Sequence, residues 1–163
     1  YWNFVDAMAK RGDAEAAQEY AKKHDLIKTP GDRLRLLNQL MDVPTIADDR
    51  QHAEPILREM FDIGQTIDAN PSSFAGRWDR YTAQRAATLA FQHGYTDLGV
   101  ELYDKTPNRD QRPLLHAFSA DMKPAQMTPV LMLAQDNLDG QRLQYVIDAG
   151  IRHLRGTTPP TGD

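Results

Sequence analysis

The sequence predicts an all-α protein of short helical hairpins stacked as an α-solenoid, with one irregular unit in its middle. Three observations predict it. Apolar residues recur at helical spacing through most segments, and no segment shows the strict alternation of a strand. Glycines and Thr-Pro steps punctuate the chain often enough to keep each helix near a dozen residues, so about eight to ten helices are expected. The opening hairpin is too small to bury its own apolar face and needs neighbours stacked on it.

That hairpin is Tyr1 to Asp32. Tyr1, Phe4, Val5 and Met8 share one face of a first helix. Lys10 and Arg11 stand in its last turn, where cations complement the helix dipole. Gly12 closes it, and Asp13 is placed to cap the second helix, with Glu15 in that helix's first turn. Ala14, Ala16, Ala17, Tyr20 and Ala21 form the second helix's inner face, small enough for close approach. It ends near His24, and Thr29-Pro30-Gly31 is a turn.

Asp32 is placed to cap a third helix over residues 33–41, with Leu34, Leu36, Leu37 and Leu40 apolar and Pro44 as its stop. Thr45-Ile46-Ala47-Asp48 is a capping arrangement for the helical stretch beyond it. Pro55 either kinks that helix or sits in its first turn. Ile56, Leu57, Met60, Phe61, Gly64 and Ile67 make its stripe. The stretch 68–76, DANPSSFAG, is the best loop or hinge, too short for a domain boundary by itself.

The second half opens on Trp78, Tyr81, Ala86, Leu89 and Ala90, and Gly94 ends that helix. Thr96 is placed to cap the next, with Leu98, Gly99, Leu102 and Tyr103 inward, and Thr106-Pro107 closes the unit. Pro113 and Pro124 bracket a short helix with Leu114, Leu115 and Phe118, and a further helix follows Pro124 or Pro129. In the last helix, capped by Asp139, Leu143, Val146, Ile147, Gly150, Ile151 and Leu154 form one stripe. Gly156 ends it, and 157–163 is a flexible tail, so residues 1–156 make one helical-repeat domain.

An internal echo supports repetition. Aligning Gly94 with Gly12 pairs Gly99 with Ala17 and Leu102 with Tyr20, and a Thr-Pro step and a Leu-Leu pair follow in both copies. The separation of the two glycines is not a whole multiple of one unit, so the region from Pro44 to Gly76 is the irregular one.

The opening unit resembles a pentatricopeptide repeat. Tyr1, Asp6, Met8, Lys10 and Gly12 carry the resemblance, with Ala17 five residues after the glycine and Pro30 near the end of a unit of about 34–35 residues. It also resembles a tetratricopeptide repeat, which shares the Gly, Ala and Pro positions; the Tyr and the Lys-x-Gly favour the first family. Trp2 stands where the first family carries a small polar, base-reading side chain. The resemblance implies a right-handed solenoid, single-stranded RNA or protein partners, and a mitochondrial or other organellar matrix location, in RNA processing, translation or a ribonucleoprotein.

Composition narrows the function classes. The 163 residues carry a net charge of -4 and a pI near 5.7, which argues against a free-standing nucleic-acid binder with a basic face. A mean hydropathy of -0.62 and the lack of a long apolar run argue against a membrane span. The chain opens on Tyr rather than Met and reads as a processed chain or a fragment, soluble and intracellular. Cysteine is absent, which leaves no disulfide, thiolate metal site or Cys nucleophile.

No catalytic, cofactor or metal site is expected. The five histidines never pair at helical-face spacing. Asp48, Asp49, His52 and Glu54 form the densest polar cluster, read as an acidic helix start. An enzyme using that cluster or His116 ranks last among the functions. Asp136 to Gly140 fails as a calcium loop, because Gln135 and Val146 fall at ligand positions. Phosphate-loop, dinucleotide and nucleophile-elbow motifs are absent. The candidate contact residues for a protein or RNA partner are Trp2, Arg33, Arg35, Arg77, Trp78 and Arg80: two aromatic platforms and two arginine pairs. A non-catalytic scaffold binding protein subunits of a larger complex is the leading expectation, and RNA binding is the alternative.

Overall fold

A computed structural model describes residues 1–69, 82–106, 111–118 and 122–156. The described residues are helical, with no strand among them, in ten helices. Contacts cluster into two compact units, Tyr1–Thr82 and Ala83–Asp163. The division falls just beyond the stretch read as a hinge, most of which lies outside the described residues. The predicted tail at 157–163, and Pro107 of the Thr106-Pro107 step, lie outside them too.

The first unit holds α1 (Trp2–Lys10), α2 (Ala14–Lys23), α3 (Pro30–Met41), α4 (Pro44–Ala47) and α5 (Arg50–Ala69). Asp13 caps α2 as expected, its Oδ1 accepting from the Ala16 N–H at 2.9 Å, and Gly12 turns at φ +83°. The inner face of α1 is narrower than the periodicity suggests. Val5 and Ala9 are buried, whereas Tyr1 and Phe4 are 70% and 59% exposed. The alanine line of α2 (Ala14, Ala17, Ala21) leaves room for a close approach but none for large rings. The rings pack outside instead: Tyr20 lies 4.2 Å from His24, Tyr1 5.0 Å from His24 and Phe4 5.7 Å from Tyr20, as centroid distances.

The start of α3 corrects the capping assignment. Thr29 is the cap, not Asp32, and Pro30 is the first helical residue. Thr29 Oγ1 accepts from the Asp32 N–H at 3.1 Å, and Asp32 Oδ2 accepts from the Thr29 N–H at 3.1 Å. This reciprocal box satisfies two N–H groups that a helix start would leave unpaired. Leu34, Leu36, Leu37 and Leu40 are all buried. Pro44 begins the four-residue α4 instead of merely stopping α3, so Thr45 is not a cap. Asp49 serves the start of α5, its Oδ1 accepting from the Gln51 N–H at 3.1 Å. Pro55 lies inside α5, and the predicted stripe from Ile56 to Ile67 is buried on one face.

The second unit holds α6 (Thr82–Gln92), α7 (Thr96–Asp104), α8 (Arg112–Leu115), α9 (Pro124–Asn137) and α10 (Gly140–Gly156). Gly94 turns at φ +81°. Tyr95, not Thr96, occupies the cap position of α7, and Thr96 is its first helical residue. Leu98, Gly99, Leu102 and Tyr103 are buried as expected. Phe118 lies beyond the short α8. Pro124 opens α9, and Pro129 lies inside it. The stripe of α10 is only half covered. Val146 and Gly150 are buried, against α8 and α9, while Ile147, Ile151 and Leu154 are exposed.

Candidate partner-binding groove

Two arginines two residues apart on α3 point to nearly opposite sides of the helix, and the structure commits them differently. Arg33 turns toward α2 and α5. Its Nε donates to Glu59 Oε1 at 2.7 Å, and its Nη2 donates to Glu59 Oε2 at 2.8 Å and to Gln18 Oε1 at 3.1 Å. A two-pronged pair of this kind fixes orientation as well as energy. Its members are 28% and 40% exposed, so solvent holds its worth to about 0.5–1 kcal/mol. Arg33 is thus a clasp between three helices.

Arg35 turns the other way, toward α1. Its guanidinium carbon lies 4.3 Å from the centroid of the Trp2 ring, an interaction of about 0.5–1 kcal/mol at an accessible site. Trp2 and Arg35, singled out separately in the sequence, therefore form one platform. Arg77, Trp78 and Arg80 lie outside the described residues.

Beside this platform, along the solvent side of α3, runs a groove of about 580 Å³. Thr29 and Asp32 lie at its head, Arg35 in the middle, and Asn38, Gln39 and Asp42 further along. Asn38 Nδ2 is occupied by the Leu34 carbonyl at 3.0 Å. The Gln39 Oε1 is buried and accepts no hydrogen bond. A desolvated acceptor without a donor costs about 1–3 kcal/mol. The groove thus offers one guanidinium and two carboxylates to a partner, and its charge is net acidic. Sequence reasoning missed Gln39, since no local pattern marks which glutamine becomes shielded from water.

The other polar clusters are locally paired. His52 Nδ1 lies 2.7 Å from Asp49 Oδ2, and Arg50 Nη2 donates to Glu54 Oε1 at 2.9 Å. His116 Nδ1 lies 3.2 Å from Gln92 Nε2. Lys10 Nζ donates to Asp6 Oδ2 at 2.8 Å, and this hydrogen bond, together with the Asp6 charge, holds the Lys10 ammonium above its ordinary value of 10.5. Among the described residues no group of three His, Asp or Glu is placed to hold a metal ion, and no helix is long and apolar enough to cross a membrane.

No protein-family model matches this chain, and neither the curated proteins nor the solved structures give a match.

Proposed function

We propose that this chain is a non-catalytic scaffold or adaptor that binds protein partners within a larger assembly, with the groove beside Trp2 and Arg35 as its docking surface. In this reading α1 with α2, and α6 with α7, are antiparallel hairpins of a right-handed solenoid, and the assembly is an organellar ribonucleoprotein. The observation that carries the proposal is the Trp2–Arg35 platform standing beside two carboxylates, Asp32 and Asp42, in an open groove. A segment of polypeptide presents backbone N–H groups and cationic side chains that these two carboxylates can take. Asp32 and Asp42 on the same groove repel phosphates and attract cationic side chains. Arg35 over Trp2 gives a flat, partly desolvated wall of the kind enriched at protein interfaces.

Single-stranded RNA is the competing reading, because the Trp2–Arg35 platform can also stack a nucleobase. Two measurements separate them. Asp42→Lys reverses the charge on the exposed edge of the groove, so retention of protein partners falls, whereas RNA binding would strengthen. A titration with single-stranded RNA at several salt concentrations gives no saturable binding at low salt. Binding that strengthens as salt is lowered supports RNA instead. Unchanged partner retention in Asp42→Lys would show that partners bind elsewhere than the groove.

A further inference from the structure

The last helix is left half covered. At 100° per residue, Leu143, Ile147, Ile151 and Leu154 fall along one stripe of α10, next to the line of Val146 and Gly150. The inner line is used: an added methyl at Gly150 would lie 3.4 Å from Met127 and 3.5 Å from Phe118. The outer stripe is open, with Ile147 36%, Ile151 40% and Leu154 44% exposed.

The flank of the stripe is charged in a definite order. Asp148 and Arg155 lie on the same side of it, seven residues and about two turns apart. Gln144, one turn before Asp148 on that side, donates from Nε2 to Asp148 Oδ1 at 2.8 Å and holds the carboxylate in place. The acid therefore precedes the base along one edge of an exposed apolar ridge.

We propose that the occupant is a second copy of this chain, with α10 packing antiparallel on α10 about a two-fold axis near Ile151. Such an axis brings the same flank of both helices to the same side and reverses its direction. Asp148 of each copy then faces Arg155 of the other, so the pairing is made twice, while Ile147 of one copy meets Leu154 of the other and Ile151 sits at the centre. Parallel pairing would put the same flank of the two copies on opposite sides of the seam, so Asp148 and Arg155 would not meet. The two-fold contact is self-complementary, as a symmetric dimer requires. It lies on the second unit and stands independently of the groove on the first.

Sedimentation equilibrium of the full chain over a wide concentration range tests this. A concentration-dependent dimer is expected. Ile151→Asp yields a monomer with unchanged far-UV circular dichroism, because the side chain is already open to solvent. Asp148→Arg and Arg155→Asp each weaken self-association by about tenfold, since each sets two like-charge contacts in place of two attractive ones. Mixing these two variants restores association as a heterodimer, because each copy then carries two like charges opposite to the other's. A chain monomeric at every concentration, a dimer indifferent to Ile151→Asp, or a charge-swapped mixture that stays apart overturns the proposal. Should Ile151→Asp fail to fold, the charge-swapped mixture decides it.

Discussion

Gly12 follows α1 at φ +83° and Gly94 follows α6 at φ +81°, so the two helix pairs turn by the same left-handed residue. Five residues on, the first pair has Ala17 and the second Gly99, both buried. The interiors then diverge. In the first pair the buried line is alanine and valine, and the rings of Tyr1 and Phe4 stand outside. In the second, Phe91 and Tyr103 are completely buried. The one-methyl difference at the matched position marks the divergence. A Cβ at Gly99 would lie 2.6 Å from the Phe91 ring, so the absent side chain makes the space the ring fills. Turn chemistry sets where the chain reverses; the small residue after the turn sets whether an aromatic enters the core.

Gly99→Ala is expected to have the largest effect on this comparison. The Phe91 ring is fully buried and cannot swing out, so overpacking costs about 1–3 kcal/mol in chemical denaturation. Combining it with Phe91→Leu recovers part of the loss; no recovery would mean the ring is not what Gly99 accommodates. Next come Gly12→Ala and Gly94→Ala, each about 1–2 kcal/mol, because a β-carbon resists a positive φ. Gly12→Ala costs more of the two: its added methyl would meet Thr45 Oγ1 at 3.1 Å, while nothing lies within 4 Å at Gly94. Equal losses would show that the backbone alone sets the cost.

Gly150→Ala has the opposite sign. Its surroundings are at ordinary contact distance, with φ unremarkable, so the gain in helix propensity raises stability by up to about 1 kcal/mol. A loss would mean that α10 packs more tightly on Phe118 and Met127 than the 3.4–3.5 Å contacts allow. Smallest is Arg33→Met, which removes the clasp to Glu59 and Gln18 while keeping the apolar stem. A loss of about 0.5–1 kcal/mol, shrinking at high salt, is expected in equilibrium unfolding. A salt-independent loss would point to packing of the stem instead.

Local chemistry made much of this fold legible. The Asp13 cap, the leucines of α3 and the stripe of α5 all follow from spacing within a helix or residue type at its end. The cap at Thr29 was also written in the sequence, as Thr-Pro-Gly-Asp, where a Thr three residues before an acid makes a capping box and Pro suits the first helical position. Reading the same residues as a turn moved the start of α3. Proline gave a less decisive signal: Pro55 and Pro129 each lie inside a helix, because proline tightens local options without deciding tertiary packing.

What escaped was long-range. Arg33 and Glu59 are 26 residues apart, and nothing local pairs them. Trp2 and Arg35 both looked like partner contacts, but only the fold makes them one platform. The α10 stripe shows the limit of periodicity: it gives the apolar arc, not the half of it that the chain's own helices cover.

Protein binding at the groove is tested most directly by photo-crosslinking. A photoreactive side chain at Asp42, exposed on the groove, is irradiated in a native extract, and the products are split between protease and nuclease treatment. Discrete protein adducts that survive nuclease and vanish when Arg35→Glu is added are expected. Adducts removed by nuclease, or protein adducts indifferent to Arg35→Glu, would contradict it.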